Sequence, residues 1–188
     1  MAVQVLRAGE RPATAWLNGG GVTREVAGAP AGAGLADFDW RVSLADVDQG
    51  GPFSAFPGVD RVITLVDGAG MALTVAGTEH AIAEPYRPFA FPGEADTGCR
   101  LLGGPAIDFN VMTRRGRATA EIAMADDRRE VTVPEGAAVL LVCLAGGASL
   151  DKAGVALTRF DAALLDSGTD VLQATGGVTA VVTLSPVH

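Results

Sequence analysis

Apolar and polar residues alternate along most of this chain with a period of two, and that alternation is what most narrows its fold. In Phe38-Asp39-Trp40-Arg41-Val42-Ser43-Leu44-Ala45, Phe38, Trp40, Val42 and Leu44 fall on one side, opposite Asp39, Arg41 and Ser43. Successive strand side chains point to opposite faces, so the run predicts a half-buried strand. Further strands are expected over residues 61–66, 71–75, 89–93, 99–105 and 107–113, and then over 117–124, 129–133, 137–144, 155–160, 170–174 and 178–184. Asp67-Gly68 reads as a hairpin turn between two of them. A helix over 160–166 is a short and weak alternative. With 25 glycines and 10 prolines in 188 residues, many turns and short elements are expected, and the fold class is all-β.

The chain also echoes itself. Residues 63–73 resemble residues 140–150, and Phe89 to Gly93 has a looser counterpart in Ala163 to Ser167. Two related antiparallel barrels would produce such an echo, and closing each barrel would remove its exposed edges.

Composition excludes several function classes. The apolar fraction of 48% argues for a substantial core. A net charge of -8 should repel phosphate backbones, and Arg114-Arg115-Gly116-Arg117 is too brief a basic run to offset it, so no nucleic acid partner is expected. No stretch of 18 uncharged apolar residues occurs and the N-terminus lacks a signal pattern, so the expectation is a soluble, cytoplasmic chain without a membrane partner. Cys99 and Cys143 are expected as buried thiols. His80 and His188 are the only imidazoles, too few for a metal site built on several imidazoles, so neither metal nor cofactor is expected. His80 reads as a loop or rim residue.

Four blocks carry more specific information. They are Trp16-x-Asn18-Gly19-Gly20-Gly21-x-Thr23-Arg24-Glu25, Phe38-x-Trp40-Arg41-x-Ser43, Gly51-Pro52-Phe53-Ser54-x-Phe56-Pro57-Gly58-x-Asp60-Arg61, and Asp108-Phe109-Asn110-Val111-Met112-Thr113-Arg114-Arg115. The glycine triplet suits a tight turn or a close backbone approach; it lacks the lysine and spacing of a phosphate-binding loop. Taken together the blocks resemble the HutD/Ves family, and the likeness covers nearly the whole chain. The resemblance implies a cupin-type double-stranded β-helix with two cupin-like barrels: residues 1–115 as the N-terminal barrel, and residues 116–188 as a smaller C-terminal barrel packed closely against it. The family commonly has lysine where this chain has Leu17, so no role for an ammonium group carries over to that position.

The residues themselves suggest a carboxylate site. Lys152 is the only lysine, so 13 of the 14 basic residues are arginines, and a guanidinium offers a rigid fork for a carboxylate. Asp108, Asn110 and Met112 share one side of a strand, with Phe109 and Val111 on the other. The candidate ligand-binding residues are Trp16, Asn18, Thr23, Arg24, Glu25, Arg61, Asp108, Asn110 and Arg114, with Trp16 and Phe109 as an apolar wall. No catalytic residue is assigned. The family association with histidine utilisation or environmental stress implies a binding or regulatory role, with a small carboxylate metabolite as ligand. Two alternatives stay open: a metal-independent isomerase, epimerase or lyase using Glu25 or Asp108, and a structural or protein-interaction module. Cupin-like sheets often meet across subunits, which leaves a homodimer open as well.

Overall fold

The computed structural model describes residues 2–187. In chain order the first strands are β1 (Val3–Leu6), β2 (Thr14–Ala15), β3 (Gly21–Ala29), β4 (Trp40–Val47), β5 (Gly51–Pro52) and β6 (Val59–Asp67). They are followed by β7 (Met71–Val75), β8 (Thr78–Ile82), β9 (Phe89–Pro92), β10 (Thr97–Leu101) and β11 (Ala106–Arg114). The remaining strands are β12 (Ala118–Ala125), β13 (Arg128–Thr132), β14 (Ala138–Cys143), β15 (Gly147–Leu150), β16 (Val155–Thr158), β17 (Ala162–Leu165), β18 (Thr169–Thr175) and β19 (Thr179–Pro186). The fold is predominantly β. Residues 160–166 contain β17 where a helix was the alternative, and among the described residues no helix is long and apolar enough to cross a membrane. His188 lies outside the described residues.

The chain forms two compact units. The central unit runs from Pro12 to Arg117; the terminal unit gathers the segment up to Arg11 with the chain from Ala118 onward. The division therefore differs from a single cut at residue 115. Strand β1 pairs along its length with β17, so the N-terminal segment completes a sheet of the terminal unit.

Each unit contains two antiparallel sheets. In the central unit the orders are β2-β3-β4-β11-β6-β9 and β5-β10-β7-β8; in the terminal unit they are β1-β17-β14-β19-β12 and β13-β18-β15-β16. Strands β4 to β11 have the same pairing scheme as β12 to β19, strand for strand. The echoing sequences fall on corresponding strands, β6 and β7 with β14 and β15, and β9 with β17.

Asp67-Gly68 does not make the expected hairpin. Strand β6 pairs with β11 and β9, whereas β7 pairs with β10 and β8, so the turn carries the chain from one sheet to the other. The hairpin lies next along the chain, between β7 and β8. There Ala76 (φ 47°) and Gly77 (φ 84°) both take left-handed conformations, the geometry of a two-residue turn matched to strand twist.

Strand β4 also departs from a half-buried pattern. Val42 and Leu44 on one face and Ser43 and Ala45 on the other are all buried. Ala45 packs with Ile63, Leu65, Met71, Leu73 and Phe91 in the core of the central unit. The face with the polar residues thus turns toward that unit's own core. In the terminal unit the corresponding core is apolar, built around Val139, Leu141, Ala163, Leu165, Leu172 and Val181.

Candidate functional site

Directly opposed residues on antiparallel strands share a sheet face, so register shows which side chains meet in the central unit. Asp108 on β11 stands opposite Ala45 and Leu65, Asn110 opposite Ser43 and Ile63, and Met112 opposite Arg41 and Arg61. Arg61 in turn stands opposite Phe91, and Ser43 opposite Glu25. One face of the six-stranded sheet therefore collects Arg41, Ser43, Arg61, Asp108 and Asn110, with Glu25 at its exposed margin.

Arg61 is 8% exposed, and its guanidinium is poorly satisfied. The hydrogen bond it donates, from Nη1 to the Ser54 carbonyl, is long at 3.5 Å, and its buried Nε has no partner. The rings of Phe53, Phe56 and Phe91 surround the guanidinium carbon at 5.3, 5.4 and 5.0 Å. These contacts supply cation–π attraction while leaving N–H groups unused. Burial pulls the Arg61 pKa down to about 10, with Asp108 opposing the shift and Arg41 adding to it.

Asp108 is 1% exposed and accepts a hydrogen bond from the Asn110 amide. Burial pushes its carboxyl up to about 7, against the pull of Arg61 and the Asn110 amide. The Asn110 Oδ1 is buried without a partner. Cys99, on β10, is raised to about 11 by burial and by the Asp108 charge. At the edge of this face Trp16 Nε1 donates to Thr23 Oγ1 at 2.8 Å, and the Trp16 ring meets Phe53 edge-on at 6.5 Å. Glu25 accepts from Arg41 Nε at 2.7 Å, holding that second guanidinium in place.

Three of the expected site residues serve elsewhere. The exposed Asn18 closes its own turn, with Oδ1 accepting from the Gly20 N–H at 3.0 Å. That turn needs glycine: a Cβ on Gly21 would collide with the Asp46 carbonyl oxygen as β3 approaches β4. Arg24 pairs with Asp46 on the opposite face of the sheet. Arg114 donates to the carbonyls of Phe38 and Ala36, both at 2.9 Å, and lies over the Phe38 ring. Arg115 is at the surface, bound to Asp60 and Glu94.

Phe109 is fully buried on the face away from Asn110, and the rings around Arg61 are those of Phe53, Phe56 and Phe91. The block containing Phe53, Phe56 and Arg61 was the available signal for this cage, because it is rich in aromatics immediately before an arginine. Arg41 lies on the polar side of β4, which the alternation alone places outward. His80 lies on β8 rather than on a loop, its ring tilted by 42° against Phe89 at 4.8 Å. Both cysteines are buried free thiols. Among the described residues no group of three or more His, Cys, Asp or Glu side chains is arranged to hold a metal. Two surface depressions, of about 450 and 440 Å³, are lined by residues of β8 to β9 and by Asp46, Asp48 and Asp67 with their neighbours; Arg61 lines neither.

Paired antiparallel sheets in this order, with a polar cluster on an inward face, define a cupin-like β protein. The chain belongs to the HutD family, whose model matches residues 8–182. It is 35% identical over 173 residues to an uncharacterized 21.2 kDa protein in the hutC 3′ region of Pseudomonas putida, covering 90% of each chain. Its fold matches HutD from Pseudomonas fluorescens SBW25, in a formate condition, with a TM-score of 0.88 and 34% identity over the full length of both chains. It is also 40% identical over 116 residues to protein Ves of Cronobacter sakazakii, covering 61% of this chain and 62% of that protein.

Proposed function

We propose that this chain binds a small carboxylate metabolite in the central unit and acts as a metabolic sensor or sequestering protein, with Arg61 as the anion-binding group. The observation that carries this reading is the buried guanidinium with an unpartnered Nε inside a cage of three phenylalanines. A buried charge is costly unless paired, and a carboxylate would supply both countercharge and acceptors. Asn110 Oδ1 and the Asp108 carboxyl would address a second polar group of the ligand, and Trp16, Thr23 and Glu25 would form the rim. In this reading each unit is a cupin-like barrel, and only the central barrel carries a site.

The relative in the hutC 3′ region supports a place in histidine utilisation. A calorimetric screen of histidine, urocanate, glutamate and formylated amino acids, with product analysis of every hit, tests the proposal. Saturable binding without turnover is the expected result; no binding across the set would remove the ligand class.

One observation favours a second reading, a metal-independent isomerase, epimerase or lyase. A carboxyl raised to about 7 is suited to proton transfer near neutral pH. Asp108 is the better acid or base, because Glu25 is held by Arg41. Product formation in the same screen, abolished by Asp108→Asn, would establish this reading over simple binding.

A further inference from the structure

One buried cation and one buried carboxyl share a sheet face of the central unit. Arg61 has an unpartnered Nε, and Asp108 is fully buried on the same sheet face with the Asn110 amide donating to it. Arg61 forms no ion pair within 4.0 Å among the described residues, although each of the two groups shifts the titration of the other. Bringing a ligand carboxylate to the guanidinium while Asp108 is ionised would put two negative charges beside one positive charge, out of water. Like charges in such a setting cannot both persist cheaply.

We propose that Asp108 determines which charge state of ligand the Arg61 site accepts: a carboxylate anion docks on Arg61 only as the Asp108 carboxyl takes up one proton from solvent. This rests on the carboxylate-site reading above. Protonated, Asp108 becomes an O–H donor and leaves the guanidinium to the ligand; ionised, it repels the ligand and competes for the same cation.

Other titratable groups stand on elements packed around this face. Arg41 on β4 is engaged by Glu25 on β3, and Asp46 on the other face of β4 is engaged by Arg24, while its charge adds to the upward shift of Asp108. Cys99 on β10 is held neutral by its raised pKa of about 11. His80 on β8 lies against the Phe89 ring. Phe91, Met71 and Leu73, from β9 and β7, carry no titratable group. Burial has already brought Asp108 to about 7, so uptake of the proton falls in an accessible range.

Affinity for formate and acetate, measured by NMR titration from about pH 6 to about pH 9, tests the linkage. In the wild-type protein the dissociation constant should be level below the Asp108 pKa and rise about tenfold per pH unit well above it, as expected for uptake of one proton. Acetamide, a neutral isostere, should show no such slope. Asp108→Asn keeps an acceptor for the Asn110 amide and should bind acetate with a flat pH profile, its fold checked by thermal unfolding. A flat wild-type profile, or an equal slope in Asp108→Asn, overturns the proposal while leaving the carboxylate site intact. Failure of formate, acetate and glutamate to saturate at any pH overturns the carboxylate site itself, and the linkage with it.

Discussion

Arg61 and Asp108 show how burial changes what an ordinary residue can do. On the surface a guanidinium hydrogen-bonds to water; within three aromatic rings its free Nε is an unmet demand that an anion can satisfy. For a confirmed ligand, Arg61→Ala should weaken binding by about 2 kcal/mol, roughly thirtyfold, as expected for loss of a charge-assisted hydrogen bond. Unchanged calorimetric affinity in a folded variant would move the site elsewhere. Asp108 also gives stability a pH dependence of definite sign. Its folded pKa of about 7 lies above the ordinary 3.8, so the folded state retains a proton that the unfolded chain releases. Stability from this group is present at low pH and declines as pH rises from about 4 through about 7. Asp108→Asn removes that decline, so denaturant unfolding should show the variant gaining on wild type between about pH 4 and about pH 8.

At the scale of elements, β1 depends on one carboxylate. Asp161 accepts hydrogen bonds from Arg7 Nη1 at 2.8 Å, the Ala8 N–H at 2.9 Å, and the Thr158 N–H and Oγ1 at 3.1 and 2.9 Å. It thereby ties the end of β1 to the turn that precedes β17, while Arg11 donates to the Phe160 and Leu6 carbonyls. Burial works to raise the Asp161 pKa, but these donors together hold it at about 2. The stabilisation is present above the ordinary carboxylate range and is lost as pH falls through about 2. Asp161→Ala should cost about 3 kcal/mol at neutral pH, because several donors lose a charged acceptor at once. A lower urea midpoint is the readout, and an unchanged midpoint would show that β1 is held by its strand pairing alone.

Across the whole molecule, two units share one strand-pairing scheme but differ in what their cores contain. Arg61, Asp108 and Asn110 turn into the central unit, whereas the matching β14 and β19 face offers Val139, Leu141 and Val181 to an apolar core. A carboxylate needs a countercharge and hydrogen-bond donors, which that apolar core does not present. Calorimetry should therefore give one ligand per chain despite the repeated topology. A stoichiometry of two would show that the terminal unit carries a site of its own.

What the sequence by itself determined was the local conformation: alternation with a period of two selects strands, and glycine at positions that need a left-handed turn or a close approach separates them. These depend on neighbours along the chain, so the strands over 61–66, 71–75 and 107–113 were legible, as was the pairing of Asp108 with Asn110 on one face. The family was legible too, because its motifs are blocks of consecutive residues. Only the tertiary structure decided that Asp67-Gly68 crosses between sheets, that the N-terminal strand completes the sheet of the terminal unit, and that the polar side of β4 faces inward. The same is true of the site. Arg61 and Asp108 share one face because β6 pairs with β11 in one particular register, and Arg24 is lost to the opposite face because β3 alternates. Strand pairing joins residues far apart in sequence through backbone hydrogen bonds that every residue type offers, so no local pattern of side chains could specify those meetings.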